Sequence, residues 1–148
     1  MNNSLPWRVA LAGYLIVLAA VGFWPTPVDK PVQGTLGAIL RYLHGNGVPG
    51  WFDYHFVEAS ANVAMFVPLG ILSSMAFPAR SAWQLAGIGL LVSICMEGVQ
   101  LLLIAARFSS IIDVVTNTAG ALIGIGAVRL VAQVAARTSG CRGPTKVR

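Results

Sequence analysis

The sequence predicts an all-α integral membrane protein, an antiparallel bundle of four transmembrane helices with a short interfacial helix in the first outer loop. Three observations carry that reading. Of the 148 residues, 56% are hydrophobic and only 10% charged, with a mean hydropathy of +0.74, whereas a soluble domain carries about 25% charged residues. A chain this short leaves much of its surface exposed, and five acidic plus ten basic side chains cannot cover that surface. Four apolar stretches, finally, have the length of about 20 residues that a spanning helix needs. A soluble globular enzyme is excluded on this count, and so is disorder, which requires low hydrophobicity.

The first stretch runs over about 7–24, with Trp7 and Trp24 at its ends, where interfacial aromatics belong. A signal peptide is the rival reading, with Arg8 as its charged region and Ala20-Val21-Gly22 as a small-x-small site. The early Pro6-Trp7 and the bulky Phe23-Trp24 after that site favour an uncleaved helix. The other stretches cover about 59–77, 83–106 and 111–134. Short links make these three consecutive antiparallel neighbours, and the one long connection is the outer loop 25–57. The layout is a single membrane domain, 1–137, followed by a basic cytoplasmic tail, 138–148.

Lys and Arg near helix ends set the orientation. One side holds seven, Arg8, Arg80, Arg129, Arg137, Arg142, Lys146 and Arg148. The other holds three, Lys30, Arg41 and Arg107, together with Asp29, Asp53 and Glu58. Both termini are therefore expected in the cytoplasm of a bacterial cytoplasmic membrane. The net charge of +5 then reads as a topology signal, with a tail suited to anionic lipid, and no nucleic-acid partner is expected.

In the outer loop, Pro25, Pro27 and Pro31 make an extended exit from the first helix. Leu36, Ile39, Leu40 and Leu43 recur at helical spacing, which predicts a short helix on the membrane surface. Gly45, Gly47, Pro49 and Gly50 end it, and Trp51, Phe52, Tyr54 and Phe56 form an aromatic cluster for the headgroup zone. The loop reads either as a lid or as a plain anchor. His55 pairs with Glu58 or Asp53 at the interface; no metal-ligand cluster and no cofactor is expected. Cys95 and Cys141 lie too far apart for a disulfide, and Cys95 and the methionines read as packing residues.

Polar groups inside a bilayer are costly and need partners or a wet cavity. In the second stretch Asn62, about a turn inside the outer end, shares a face with Phe66 and Gly70. Pro68 removes a backbone donor there, predicting a kink and freeing the Ala64 carbonyl. In the third, Ser93, Glu97, Gln100, Ile104 and Arg107 lie along one helical face. In the fourth, Asp113, Asn117, Gly120 and Gly124 share another, the two glycines forming a small-xxx-small pair for close helix approach. Ser109 and Ser110 are available to cap it, and Asp113 meets the positive helix dipole. Asn62, Glu97, Gln100, Arg107, Asp113 and Asn117 thus converge in the outer half of the membrane, around one expected polar site.

Written as motifs, these runs are N-x3-F-x-P-x-G from Asn62, S-x3-E-x2-Q from Ser93 and R-x5-D-x3-N-x2-G from Arg107. Their order and spacing resemble the VanZ-like family, over roughly 62–124. The resemblance implies a multi-helix bacterial membrane protein. The family's namesake is associated with low-level resistance to teicoplanin, a lipid-tailed glycopeptide, apart from the enzymes that remodel the peptidoglycan precursor terminus. The matching positions are Asn62, Pro68, Gly70, Glu97, Gln100, Arg107, Asp113, Asn117 and Gly120.

Three classes of function stay open at this level. A binding module would hold a lipid headgroup, a lipid-linked cell-wall precursor or a lipoglycopeptide, with Arg107 contacting the anion and the amides orienting it. An intramembrane enzyme acting on an envelope lipid would use Glu97 as general base and Asp113 as a second carboxylate. No nucleophile with an adjacent His and no phosphate loop supports the enzyme. A structural or partner-binding protein, including a homo-oligomer, would use the polar groups to fix helix register. Four helices leave a transporter little room.

Overall fold

The computed structural model describes residues 4–23, 33–103 and 110–140. The helices run in order α1 (Leu5–Gly22), α2 (Gln33–Gly45), α3 (Tyr54–Ala76), α4 (Ala82–Leu103) and α5 (Ile111–Gly140). Four of them, α1, α3, α4 and α5, are long and apolar enough to cross a membrane. The expected bundle of four spanning helices with one short additional helix is therefore the fold. Arg107, Trp24, Ser109, Ile104 and Cys141 lie outside the described residues.

Tertiary bonds give the directions. Arg8 bonds Ala76 and Tyr14 bonds Met65, so α1 and α3 are antiparallel. Gly22 meets Gln100 at the far end, so α1 and α4 run the same way. α3 and α5 are parallel and make the most extensive helix pair of the bundle. The reason lies in small residues. A Cβ built on Gly120 would strike the Val63 carbonyl, one on Gly124 the Val67 carbonyl, and one on Gly70 the Ala121 carbonyl. Backbone thus lies on backbone along the whole contact, as the small-xxx-small pair requires.

The core is the inner face of these helices: Leu11 and Leu18 of α1, Phe66, Leu69 and Ala76 of α3, Met96 of α4 and Ala121 of α5. A second cluster joins Leu85 and Ala86 to Ile125. Large apolar side chains such as Ile16, Val17, Leu91, Ile94, Val115 and Val131 point outward. That is the face hydrocarbon would cover. Cys95 belongs to this outward face and is exposed, so it is not the core filler expected, whereas Met96 on the neighbouring face is.

Helix ends differ from expectation in two places. α3 starts at Tyr54 because the Asp53 carboxylate accepts the Phe56 N–H at 2.9 Å, an N-cap that draws Tyr54 to Val57 out of the loop and into the first turn. Asn62 consequently lies about 12 Å along α3, twice as far in as expected. α5 runs on to Gly140, its end held by Thr138 and Ser139 hydroxyls bonding back to the Ala135 carbonyl. α4 opens on a reciprocal capping box in which the Ser81 and Gln84 side chains each accept the other's N–H.

α2 packs on α3. Leu40 is buried, Leu36 and Leu43 are half-buried, and Ile39 turns outward. Gly47 ends the turn after α2 with φ of +91°, a left-handed conformation open to glycine. The His44 ring and the Phe52 carbonyl lie 3.1 Å apart across this turn, and the rings of Trp51, Phe52 and Phe56 cluster with centroids 5.2–6.2 Å apart. His55 Nδ1 lies 3.8 Å from the Glu58 carboxylate on the exposed first turn of α3, the interfacial pair expected.

Candidate functional site

Of the six polar side chains predicted to converge, the five described ones do so and each has a partner. Asn62 Nδ2 of α3 donates to Asp113 Oδ1 of α5 at 2.8 Å. Asn117 Nδ2, one helical turn further along α5, donates to Ser93 Oγ of α4 at 3.0 Å. One turn up α4 from Ser93, Glu97 Oε2 accepts the backbone N–H of Ser110 at 3.2 Å. Gln100 Nε2 donates to the Gly22 carbonyl of α1 at 2.8 Å. All four spanning helices thus enter one polar layer near the loop end of the bundle.

Burial sets the energetic stakes. Ser93 is 0% exposed, Asn117 4%, Gln100 7% and Glu97 8%. A buried polar group without a partner costs roughly 1–3 kcal/mol, more when charged. All four are hydrogen-bonded across helix boundaries, so the layer also fixes which helices meet. Asn117 keeps its Oδ1 buried with no hydrogen-bond partner.

Glu97 sits where a helix begins. Ser110 immediately precedes α5, its hydroxyl accepts the Ile112 N–H at 3.1 Å, and its own N–H is given to Glu97. The carboxylate therefore meets the positive end of the α5 dipole. Asp113, in the first turn of the same helix, does so as well. Two carboxylates at one helix start make this the acidic focus of the described bundle.

Two members of the layer were not foreseen. The Gly22 carbonyl belongs to the last turn of α1, where helix carbonyls lack intrahelical donors; Gln100 supplies one. Tyr14 donates its hydroxyl to the Met65 carbonyl at 2.6 Å, three residues before Pro68. The extra donor beside the proline thus goes to Met65 and not to Ala64, and α3 is continuous from Tyr54 to Ala76 with Pro68 inside it. Tyr14 is the one hydrogen-bonding side chain between Val9 and Phe23, which is the sequence signal that could have marked it. Arg107, expected to flank the layer, lies outside the described residues. Among the described residues no group of His, Cys, Asp and Glu could hold a metal ion.

The arrangement can exchange hydrogen bonds with a polar group lodged among the loop-end helices. No curated protein and no solved structure matches the chain. The family described as VanZ/LLP1 matches residues 11–132, from the second turn of α1 into the last third of α5. With the three motif segments and the polar layer inside that match, and parts of all four spanning helices covered by it, the chain belongs to the VanZ-like family of multi-pass membrane proteins.

Proposed function

We propose that the protein holds the polar part of an amphiphilic envelope molecule in the loop-end polar layer, in the bacterial cytoplasmic membrane with both termini cytoplasmic. The ligand class is a lipid headgroup, a lipid-linked cell-wall precursor or a lipoglycopeptide of the teicoplanin type. The observation that carries the reading is Glu97, a carboxylate 8% exposed in an otherwise apolar stretch of α4. An ionisable group at such a place is costly and is retained for a task. The buried Asn117 Oδ1 adds an open acceptor beside it in the same layer. Membership of the VanZ-like family supports the envelope setting and a lipid-tailed glycopeptide as one such ligand.

A second reading, helix registration, is favoured by the fact that Asn62, Asn117 and Gln100 all spend their amide donors on protein partners. Glu97→Gln separates the two, because it keeps the shape and an acceptor while removing the charge. Expressed in a susceptible bacterium, the wild type is expected to lower susceptibility to teicoplanin more than to vancomycin, which lacks the lipid tail. Glu97→Gln is expected to abolish that difference at unchanged membrane abundance. Full activity of the variant with unchanged stability would overturn the binding reading in favour of registration. Turnover of labelled envelope lipids by the purified protein would overturn both in favour of an enzyme.

A further inference from the structure

We infer that the end of the bundle opposite the polar layer carries a second site, a cavity that takes the phosphate of an anionic membrane lipid. The cavity measures about 520 Å³ and lies between the start of α1, the end of α3, the α3–α4 turn and α5. That volume falls within the range of small-molecule pockets, about 300–1,000 Å³. Arg80 and Arg129 line it, with Trp7 and Phe77 beside them, while Met75, Leu85 and Val128 supply apolar wall.

Arg80 and Arg129 bring two guanidinium side chains to the cavity, and Arg8 is anchored nearby on the end of α3. Arg129 Nη2 donates to the Arg80 carbonyl at 3.2 Å, which ties α5 to the α3–α4 turn. Arg8 Nε donates to the Ala76 carbonyl at 3.3 Å, and its guanidinium stands 5.3 Å over the Phe77 ring. The Ala76 carbonyl is one of the helix-end carbonyls that α3 leaves unbonded. The Arg8 and Arg129 guanidiniums are thus oriented by backbone carbonyls while most of their five N–H donors stay available. Among the described residues the acids Asp53, Glu58, Glu97 and Asp113 all belong to the loop end, and no described carboxylate pairs with Arg8, Arg80 or Arg129.

The two arginines that line the cavity, with no described carboxylate paired to them, select a phosphate, to which arginine presents a bidentate fork. The apolar wall selects an amphiphile over a free anion, because a soluble phosphate would leave Met75, Leu85 and Val128 facing water in the cavity. Trp7 at the rim suits the same headgroup depth. Positive residues near helix ends orient membrane proteins generally; the cavity that Arg80 and Arg129 share, with the Arg129 guanidinium anchored on the Arg80 carbonyl, is what makes a site of them.

The test is native mass spectrometry of the full chain released from detergent, after incubation with equal amounts of phosphatidylglycerol and phosphatidylcholine. The wild type is expected to retain phosphatidylglycerol in preference, and Arg80→Gln with Arg129→Gln to lose that preference by about thirtyfold, each arginine contributing about fivefold. Arg137→Gln, on the last turn of α5 away from the cavity, is expected to keep it. Equal retention of both lipids by the wild type would overturn the proposal whether or not the double variant folds. So would an unchanged preference in a folded double variant. Displacement of phosphatidylglycerol by excess inorganic phosphate would overturn the lipid and leave a soluble-anion site.

Discussion

Asn62 and Asp113 are joined by a 2.8 Å hydrogen bond between α3 and α5, two parallel helices separated in the chain by the whole of α4. The bond sits above the glycine contact, where Gly120 lies on the Val63 carbonyl. A directional polar clasp therefore tops a non-directional close fit.

The clasp should be measurable as a coupling. In a double-mutant cycle of Asn62→Ala and Asp113→Ala, followed by unfolding in detergent, a coupling energy of about 0.5–2 kcal/mol is expected. Strict additivity of the two substitutions would show that the pair contributes nothing to α3–α5 docking.

The glycine contact predicts opposite outcomes for two neighbours on α5. Gly124→Ala drives a Cβ into the Val67 carbonyl and should lower stability by about 1–3 kcal/mol or more. Gly126→Ala, where a Cβ meets nothing within 4 Å, should be neutral or stabilising by up to about 1 kcal/mol. Thermal unfolding of both variants in one detergent gives the comparison, and a similar Tm for the two would contradict the close packing.

Tyr14→Phe removes only the hydroxyl that bonds the Met65 carbonyl. A loss of about 1 kcal/mol is expected, with ring packing retained. Tyr14→Phe as stable as the wild type would mean that the carbonyl before Pro68 needs no outside donor.

Gln100→Leu should free the end of α1 more than it lowers global stability, because the Gln100 side chain donates to the Gly22 carbonyl at the end of that helix. Hydrogen exchange is expected to quicken at the amides of Ala19 to Phe23 while those of α5 stay protected. Uniform acceleration across all helices would instead make Gln100 a general core residue.

The proposed orientation, with both termini cytoplasmic, predicts thiol chemistry. A membrane-impermeant maleimide applied to the cytoplasmic side should modify Cys141, which lies outside the described residues, and spare Cys95, whose outward face on α4 meets hydrocarbon. Labelling of Cys141 from the outer side would invert the orientation.

The spans were legible in the sequence because each is a long apolar run, and a run of that length has one cheap conformation in hydrocarbon. The polar layer was legible for a related reason: Ser93, Glu97 and Gln100 on α4, and Asp113 and Asn117 on α5, repeat at helical spacing, so their shared faces follow from geometry alone. What stayed hidden were the partners that are backbone. The Gly22 and Met65 carbonyls and the Ser110 N–H carry no side-chain signature, so no pattern announces that Gln100, Tyr14 and Glu97 will find them. The start of α3 was hidden by its aromatics, since Tyr54 and Phe56 suit a headgroup loop as well as a capped first turn. Arg8, Arg80 and Arg129 were each visible as positive charges, but only the turn after α3 brings them together.

The parallel pairing of α3 with α5 also has a consequence for biogenesis. During synthesis α3 is made before α5, so its carbonyls at Val63 and Val67 wait without the glycine surface that later covers them, and Asn62 waits without Asp113. Only when the nascent chain has threaded α4 back across and delivered α5 can that seam close. α5 is therefore the helix that closes the α3 seam, and a chain cut short after α4 would leave the Val63 and Val67 carbonyls and Asn62 without the partners that α5 brings.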